Sequence, residues 1–435
     1  MARGRRKTLK IALYTLGCKV NQYESQAMEQ ELCRRGHELV PFESWADAYI
    51  INTCTVTAVS DKKSRNAIRR ARRRNPQAVI GVCGCYAQVA PEQLQALEID
   101  VLSGSGGRMA FVQLLEEEFE KRRPVVAVDN AMERRVFERL PAGGLAERTR
   151  AMLKIEDGCV NFCSYCIIPY ARGRVRSLPL EDALAEGRRL AEEGYREIVL
   201  TGIEISSWGR DLASEETLSD LVERLCRAVP GVRIRLGSLE PRTVTEEFCA
   251  RLAKLDNLCP QFHLSLQSGC DTVLKRMNRK YDTARYARSV ALLRDYFDRP
   301  AITTDLIAGF PEETEGEFAQ TLSFIERCAF AEMHVFPYSI RPGTPAADMK
   351  QVEKYVKEER AHRAAAVARR MQEAYLDGCV GRCYAVLFEG ERKGLSVGHA
   401  PNYAEVCAEE KGLHNQVRSV RITQRKGLQL LGELV

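Results

Sequence analysis

Three cysteines lie close together in the sequence at a spacing that suits a single metal centre. Cys159, Cys163 and Cys166 form the pattern C-x3-C-x2-C, which an apolar segment from Met152 to Ile155 precedes and Pro169 follows. Thiolates on one such loop can share a metal centre. When three thiolates bind a four-iron cluster, one iron keeps an open position for a substrate or a cofactor. The pattern therefore predicts an iron–sulfur cluster with one exchangeable site.

Two other interpretations of these cysteines are weaker. A structural zinc site usually has four ligands, commonly as paired C-x2-C or C/H elements. No fourth Cys or His lies in or near this loop. Single buried cysteines that only pack are common, but reactivity rather than packing usually explains a set of cysteines at a fixed spacing. We therefore prefer the iron–sulfur interpretation.

The composition is that of a soluble globular protein. The chain has 435 residues, of which 45% are apolar and 29% charged, with 16 cysteines and a formal net charge of +6. This length suits roughly two to four domains. The basic segment Met1–Lys10 is followed only by a short apolar run that predicts a strand, so we expect no signal peptide and no membrane span. Many cysteines without a leader are typical of the reducing cytosol, which predicts a cytoplasmic protein.

Residues 8–121 alternate apolar strands with amphipathic helices. This pattern predicts a small open parallel α/β domain. The predicted strands are Ile11–Thr15, Ala48–Asn52, Val79–Cys83 and Ile99–Leu102, and the predicted helices are Gln22–Arg35, Asp61–Arg74, Glu92–Leu97 and Met109–Lys121.

A second set of three cysteines follows from that fold. Cys18, Cys54 and Cys85 come just after the first three main strands. The carboxyl ends of parallel strands line one crevice, so these residues can meet although they are far apart in sequence. Cys83 is a competing ligand, because strand alternation would place it on the same face as Cys85. The domain is therefore a candidate for a second three-thiolate cluster.

Residues 149–376 contain a second series of strands and helices, after a connector at residues 122–148 that includes a turn at Pro141–Gly144. Six βα units predict an incomplete barrel with its active site at the carboxyl ends of the strands. Turn chemistry explains the Gly and Pro residues at these ends, but not Glu240, Gln267 and Tyr338. The predicted strands are Ala151–Ile155, Glu197–Leu200, Arg233–Leu236, Phe262–Leu266, Thr303–Ile307 and Glu332–Phe336, and the long final helix is Glu353–Leu376.

The remaining residues, 377–435, have a different pattern. Short alternating segments separated by Gly and Asn predict an all-β barrel of roughly five strands, in the style of nucleic-acid-binding barrels. A β appendage for dimer contacts is the alternative. Cys379 and Cys383 lie here without two further ligands, so we interpret both as structural. At the other end of the chain, residues 1–8 are expected to form a loose tail.

A strongly basic segment occupies residues 62–74. Helical spacing places most of its arginines on one face, where like charges repel each other. A solvated surface is one interpretation, and a phosphate backbone as partner is the other. The candidate phosphate-binding residues are Arg65, Arg69, Arg70, Arg72 and Arg73.

The sequence resembles the tRNA methylthiotransferases. The C-x3-C-x2-C spacing, with Tyr165 before its last cysteine, is the one that marks radical S-adenosylmethionine (SAM) enzymes. Further motifs that carry the resemblance are Thr15-Leu-Gly-Cys18-Lys-Val-Asn21, Asn52-Thr-Cys54-Thr-Val-Thr57, Gly84-Cys85-Tyr-Ala-Gln88, Asp305-Leu-Ile-Ala-Gly309-Phe-Pro and Phe336-Pro-Tyr338. The resemblance covers nearly the whole chain. It implies an N-terminal methylthiotransferase domain, a radical-SAM partial barrel and a C-terminal TRAM domain.

The first motif resembles the branch of the family that acts on N6-threonylcarbamoyladenosine at position 37 of tRNA. Other branches act on isopentenyladenosine in tRNA or on a ribosomal protein, and these targets are the alternatives. A non-catalytic, zinc-stabilised RNA-binding protein is a further alternative. Departures from the usual family pattern stand at Glu204, Ser265, Cys270 and Glu312.

The resemblance also implies a mechanism. The adenine C2–H bond is strong and non-acidic, so a cofactor-derived radical must remove the hydrogen. The [4Fe-4S] cluster on Cys159, Cys163 and Cys166 would bind and cleave SAM to give that radical. A second [4Fe-4S] cluster on the N-terminal cysteines would carry the sulfur that another SAM methylates. The resemblance assigns no catalytic side chain beyond the cluster ligands.

The expected partners follow from the same resemblance. They are the tRNA anticodon loop, an electron donor such as flavodoxin or ferredoxin, and a sulfur donor. The TRAM barrel and the basic face would bind tRNA phosphates. Arg172 and Arg174 are candidates for binding a carboxylate or a phosphate. The expected SAM contacts, for which a satisfied barrel-mouth residue is the alternative, are Tyr165, Thr201, Gly202, Glu240, Gln267 and Ile307.

Overall fold

The computed structural model describes residues 8–143 and 149–435. The expected N-terminal tail, apart from Thr8, lies outside the described residues, as do Gly144 of the expected turn and the end of the connector. The chain divides into two compact units. The first contains the described residues up to 143 together with Asp157–Phe162 and Cys166–Arg176, and the second contains the remaining described residues.

The first unit is built on one parallel sheet with the strand order β2-β1-β3-β4-β5-β6. Its central strands β3 and β4 are buried along their whole length, as expected for a parallel sheet covered on both faces. Its elements are β1 Lys10–Thr15, α1 Lys19–Arg34, β2 Glu38–Val40, β3 Ala48–Thr53, α2 Ala58–Arg74, β4 Val79–Gly84, α3 Cys85–Val89, α4 Pro91–Gln95, β5 Val101–Ser103, α5 Arg108–Lys121 and β6 Val125–Ala127.

The predicted open parallel α/β domain is confirmed, with three local differences. The two short edge strands β2 and β6 were not expected, since three residues carry too little pattern to identify a strand. The helix α1 begins at Lys19, earlier than predicted, because Cys18 already has the extended backbone of an N-cap residue. The predicted helix Glu92–Leu97 is the short α4, and the equally short α3 precedes it.

The second unit contains a parallel partial barrel made of two sheets, β11-β10-β7 and β12-β13-β14-β15. The elements along the barrel part of the chain are β7 Arg150–Lys154, β8 Glu156–Asp157, α6 Ile168–Arg172, β9 Arg176–Ser177, α7 Leu180–Glu192, β10 Glu197–Thr201, α8 Leu218–Ala228, β11 Arg233–Arg235, β12 Ser238–Leu239, α9 Glu246–Leu252, β13 Gln261–Leu264, α10 Asp271–Arg276, α11 Thr283–Tyr296, β14 Ala301–Ala308, α12 Glu315–Cys328, β15 Glu332–Pro337 and α13 Lys354–Asp377. Short 3-10 helices span Ala131–Glu133, Ile205–Ser207, Pro241–Thr243 and Pro345–Ala347.

The six predicted barrel strands are present, but the third is split. The chain passes from β11 in one sheet to β12 in the other around Gly237. A Cβ atom on Gly237 would lie 2.7 Å from the carbonyl oxygen of Leu200, so only glycine allows this close approach. The predicted strand Arg233–Leu236 therefore ends one residue early.

The C-terminal part of the second unit is a closed barrel of five strands in the order β16-β17-β18-β20-β19. These strands are β16 Cys383–Arg392, β17 Leu395–His399, β18 Glu405–Ala408, β19 Val417–Lys426 and β20 Gln429–Leu434. Cys379 packs in the apolar core of this barrel, whereas Cys383 is exposed. No helix among the described residues is both long enough and apolar enough to cross a membrane.

Candidate functional site

The first unit brings Cys18, Cys54 and Cys85 together at the carboxyl edge of its sheet. Cys18 precedes α1, Cys54 follows β3, and Cys85 is the first residue of α3 after β4. Burial, the largest cause, raises the pKa of the Cys85 thiol to about 12; Arg172 acts against this rise, whereas Cys18 and Cys54 act in its direction. Burial raises the pKa of Cys54 as well, with Cys18 contributing in the same direction. The three cysteines follow strands β1, β3 and β4, which are neighbours in the sheet.

Two glycines allow the loops that carry these cysteines to approach. Gly17 has a φ of +107°, and a Cβ atom there would lie 2.9 Å from Cys54 Cβ and 3.1 Å from Cys54 Sγ. Gly84 has a φ of +102° and faces the backbone of Thr53. A side chain at either position would collide with the end of β3 or the residue after it. The donor set, three cysteines that follow neighbouring strands, fits a three-thiolate cluster.

No group of three Cys, His, Asp or Glu side chains among residues 8–143 and 149–435 is arranged to hold a single metal ion. In a four-iron cluster each thiolate binds a different iron, so the ligands stand farther apart than the ligands of one ion.

Cys83 and Cys85 have different surroundings. The prediction that both lie on one face stays a prediction, since β4 ends at Gly84 between them and Cys85 begins α3. Cys83 is fully buried and packs in the core cluster that includes Met28 and Phe111. Burial raises the pKa of its thiol to about 11.

Asn21 connects the loops that carry Cys18 and Cys54. Its amide nitrogen donates to the carbonyl oxygens of Leu16 at 2.7 Å and Thr53 at 3.0 Å. Its amide oxygen lies 3.9 Å from Cys18 Sγ, which donates to it. No role for Asn21 was predicted from the sequence. Its position in the first turn of α1, three residues after a candidate ligand, was the available signal.

The stretch around the C-x3-C-x2-C pattern also contributes to the first unit. The backbone N–H of Cys159 donates to the carbonyl oxygen of Gly173 at 3.0 Å. Cys159 and Cys166 are both half-buried. Phe162 has a φ of +46°, which is uncommon for a residue with a side chain, and its exposed ring contacts the exposed ring of Tyr170.

In the second unit, Cys163 is buried beside Arg279. The Nη1 atom of Arg279 donates to Cys163 Sγ at 3.3 Å. The next residue, Ser164, is fixed by a hydrogen bond from its backbone N–H to the carbonyl oxygen of Met277 at 3.0 Å. Tyr165 packs edge-on against Phe310. A guanidinium next to a thiolate stabilises its charge. Arg279 was missed because it is distant along the chain and no local pattern links it to the cysteine loop.

Of the predicted SAM-contact residues, Tyr165 lies on the cysteine loop and the others lie at or near the carboxyl ends of barrel strands. Thr201 ends β10 and is buried, and Gly202 follows it. Gln267 has a φ of +70°. Its backbone N–H donates to the carbonyl oxygen of Asp305, and its carbonyl oxygen accepts from the N–H of Ile307, each at 2.9 Å. Strained residues of this kind often mark functional sites. These residues stay predicted SAM contacts.

Two acidic residues at this rim already have partners. The carboxylate of Glu240 accepts hydrogen bonds from the backbone and side chain of Arg242. Glu204 accepts from the N–H of Ser206 at 3.0 Å and from the hydroxyl of Ser207 at 2.5 Å. Burial raises the pKa of Glu204. Glu204 therefore caps a short 3-10 helix at the barrel mouth.

The predicted basic face of α2 is divided. Arg72 points inward and donates to the carbonyl oxygens of Ala78 and Glu98 and to the carboxylate of Asp100. Arg65 donates to the hydroxyl of Tyr86 at 2.6 Å, and Arg70 lies over the rings of Tyr14 and Phe42. The exposed cations of this helix, which we call the outer row, are Lys62, Lys63, Arg69 and Arg73.

The expectation that Arg172 binds a carboxylate or phosphate ligand is wrong. Arg172 is fully buried in the first unit, and its guanidinium donates hydrogen bonds to Glu24, Asn21 and Cys85. Arg174 is exposed and stays a candidate.

Comparisons with known proteins identify the family of the chain. Residues 153–325 match the Radical SAM superfamily, and residues 10–104 match the uncharacterized protein family UPF0004. The chain is 42% identical over 404 residues to the threonylcarbamoyladenosine tRNA methylthiotransferase MtaB of Bacillus subtilis, an alignment that covers 91% of this chain and 89% of that protein. It is 36% identical to the tRNA-2-methylthio-N(6)-dimethylallyladenosine synthase of Moorella thermoacetica, with 99% of both chains covered.

A solved structure shares the fold at low sequence identity. The radical S-adenosylmethionine methyltransferase TsrM of Kitasatospora setae aligns with a TM-score of 0.57 and 15% identity, covering 78% of this chain and 77% of that one. The full-length relatives and the matched families together establish that the chain belongs to the radical SAM tRNA methylthiotransferases.

Proposed function

We propose that the protein methylthiolates C2 of N6-threonylcarbamoyladenosine at position 37 of tRNA, giving the 2-methylthio derivative. The observation that carries this proposal is the 42% identity over 91% of the chain to a methylthiotransferase named for this nucleoside. The second candidate substrate is the dimethylallyl (isopentenyl) adenosine. A relative named for that nucleoside is 36% identical over 99% of the chain, which supports this second candidate.

Each of the two cysteine sets is assigned one [4Fe-4S] cluster. Cys159, Cys163 and Cys166 hold the cluster that binds SAM, and Cys18, Cys54 and Cys85 hold the second. When bound, the clusters and SAM supply one-electron and sulfur-transfer chemistry, which amino-acid side chains do not provide at a non-acidic C–H bond. The contact between Arg279 and Cys163, and the approach of Gly17 to Cys54, support these ligand sets.

The protein's own residues bind and orient the reactants. We assign SAM contacts to Tyr165 and to the barrel-rim residues Thr201, Gly202, Glu240, Gln267 and Ile307, which their position at the strand ends supports. Arg172 is not assigned a ligand contact, because Cys85, Glu24 and Asn21 accept from its guanidinium. The hydrogen bonds made by Glu204 hold the rim segment that follows β10 in place.

The tRNA-binding surface on α2 is assigned to the outer row. Lys62, Lys63, Arg69 and Arg73 are exposed, so they can reach phosphates without breaking internal contacts. The closed C-terminal barrel is the second RNA-binding element. Single-stranded loops present unstacked bases, which suits a target beside the anticodon. The reaction also needs an electron donor, such as flavodoxin or ferredoxin, and a sulfur donor.

The decisive experiment expresses the protein in a bacterial host that lacks its own tRNA methylthiotransferases. Mass analysis of digested tRNA should show the 2-methylthio derivative of threonylcarbamoyladenosine and no methylthiolated isopentenyladenosine. The Cys54→Ala variant, produced at the same level, should yield neither product. Methylthiolation of isopentenyladenosine alone would transfer the assignment to the second candidate. The absence of both products from a protein that contains its clusters would refute the proposed activity.

A further inference from the structure

A buried arginine contacts one ligand of the second cysteine set. Arg172, at the end of α6, is fully buried. Its Nε atom donates to Cys85 Sγ at 3.2 Å, and its Nη2 atom donates to the amide oxygen of Asn21 at 2.5 Å. Its Nη1 atom donates to the carboxylate of Glu24. The planar guanidinium therefore uses one edge for the sulfur and the other for polar groups of α1.

Arg172 belongs to a network of charged side chains. Glu24 is completely buried, and its carboxylate faces both Arg172 and Arg108, the latter at 3.3 Å. Asp157 lies 3.6 Å from Arg172 and 3.3 Å from Arg176. Glu138 accepts from the backbone N–H of Arg108 at 2.5 Å, so three guanidinium groups and three carboxylates form this network. The Nε–H of Arg172 directs positive charge at the thiol of Cys85, and a buried charge of this kind requires a negative partner.

The position of Arg172 is fixed by its own backbone. The next residue, Gly173, has a φ of +79°, and a Cβ atom there would collide with the carbonyl oxygen of Ala131. The carbonyl oxygen of Gly173 accepts the backbone N–H of Cys159. Ala171, just before Arg172, accepts from the hydroxyl of Ser105. Contacts of Ala171 and Gly173 therefore fix the backbone on both sides of Arg172.

We propose that Arg172 is a positioning residue for the second cluster, holding Cys85 by an N–H···S hydrogen bond and favouring the reduced state of the cluster. This inference rests on the proposed function, since it takes Cys85 as a cluster ligand. One-electron reduction adds negative charge to a cluster. Hydrogen bonds to its sulfurs and nearby positive charge stabilise that charge, which raises the reduction potential.

The test isolates the second cluster in the full-length chain. Cys159→Ala, Cys163→Ala and Cys166→Ala together remove the first ligand set. The remaining cluster is reconstituted anaerobically and reduced by dithionite, which supplies the electron, at a series of fixed potentials. Electron paramagnetic resonance then gives the ratio of reduced to oxidised cluster. A protein without any cluster in this background would refute the proposed ligand set, and so the proposed function, rather than the role of Arg172.

Two matched substitutions separate the hydrogen bond from the surrounding charge network. Arg172→Gln and Arg108→Gln each remove one fully buried guanidinium that contacts Glu24, but only the first removes the hydrogen bond to Cys85. We expect Arg172→Gln to lower the reduced-to-oxidised ratio about tenfold at a fixed potential, equivalent to about 59 mV for one electron. Arg108→Gln should change it less than about twofold. Equal shifts in both variants, or no shift in Arg172→Gln, would overturn the proposal.

A second measurement needs no substitution at Arg172. Pulsed electron paramagnetic resonance of the reduced cluster, in protein labelled with 15N-arginine, should show a weakly coupled nitrogen. Arg108→Gln should keep that coupling. The absence of any arginine nitrogen coupling in a protein with a fully assembled cluster would overturn the proposal even if Arg172→Gln fails to fold.

Discussion

The two cysteine sets are built in different ways. Cys159, Cys163 and Cys166 are neighbours in the sequence, so a single loop can carry them wherever the surrounding fold places it. Cys18, Cys54 and Cys85 come from three strand ends, and they meet only because the parallel sheet of the first unit aligns those ends. The first set therefore depends on local chain geometry, whereas the second depends on the packing of a whole domain. This difference predicts different responses to mutation.

Removal of one ligand from each set should give the largest and most distinct effects. Cys159→Ala should abolish SAM cleavage, and with it all product. Cys54→Ala should spare SAM cleavage but stop methylthiolation. Chromatography of 5′-deoxyadenosine and of the tRNA nucleosides measures both steps. The exposed Cys33→Ala is the matched control and should retain both. Product at the normal level from Cys54→Ala would show that the strand-end set holds no catalytic cluster.

The packing around the second set should be sensitive to one added methyl group. In Gly17→Ala the new Cβ would lie 2.9 Å from Cys54 Cβ at a φ of +107°. We expect loss of about half the iron and a stability loss of about 1–3 kcal/mol. The control is Gly36→Ala. Gly36 also has a positive φ, at +89°, but a Cβ atom there would have no neighbour within 4 Å, so this variant should keep its iron. Equal iron loss in both variants would mean that backbone strain alone, not the approach to Cys54, is responsible.

Substitutions on the basic helix α2 should have a smaller effect, on tRNA binding. Replacement of the outer row by Gln should weaken tRNA binding and reduce the magnitude of its salt slope, by about 0.7–0.9 for each phosphate that is no longer neutralised. Arg72→Gln should leave the salt slope unchanged but lower stability, because the carbonyl oxygens of Ala78 and Glu98 and the carboxylate of Asp100 lose their donor. Filter binding at several salt concentrations and thermal unfolding distinguish the two. An unchanged slope in the outer-row variant would show that this face is only solvated surface.

A change in the second unit should lower stability without changing the iron content. The hydrogen bond from Arg276 lowers the pKa of Glu317 to about 2, and Glu317 also caps α12 at the backbone N–H of Thr314. Because the folded-state pKa is depressed, this stabilisation is present above about pH 4.5 and is lost as the pH falls toward 2. Glu317→Gln should cost about 1–2 kcal/mol at pH 7 and nothing near pH 2. Unfolding at both pH values checks this. Iron loss in Glu317→Gln would mean that general destabilisation, rather than ligand geometry, explains the result for Gly17→Ala.

The parts of the site that were predictable are those with a short-range signal. The spacing of Cys159, Cys163 and Cys166 needs no fold, and Cys18, Cys54 and Cys85 needed only the strand pattern. The choice between Cys83 and Cys85 was not predictable, because it depends on contacts distant in sequence: Arg172 donates to Cys85, whereas Cys83 packs in an apolar cluster.

Contacts between distant parts of the chain could not be predicted from the sequence either. Helical spacing placed Arg72 on a uniform basic face, yet its partner Asp100 lies in another segment and turns it inward. Arg172 follows the cysteine loop and so suggested a ligand contact, but buried partners on α1 occupy its donors. In both cases a charged side chain was assigned to the surface because its internal partner could not be identified from the sequence.

The central claim is that the protein holds two clusters on separate sets of three cysteines. Iron and sulfide analysis of anaerobically purified protein tests it most directly, with each set replaced by alanine in turn. We predict about eight iron and eight sulfide per wild-type chain, and about four of each in either triple variant. A wild-type protein with zinc and no iron, or a triple variant that retains the full wild-type iron content, would contradict it.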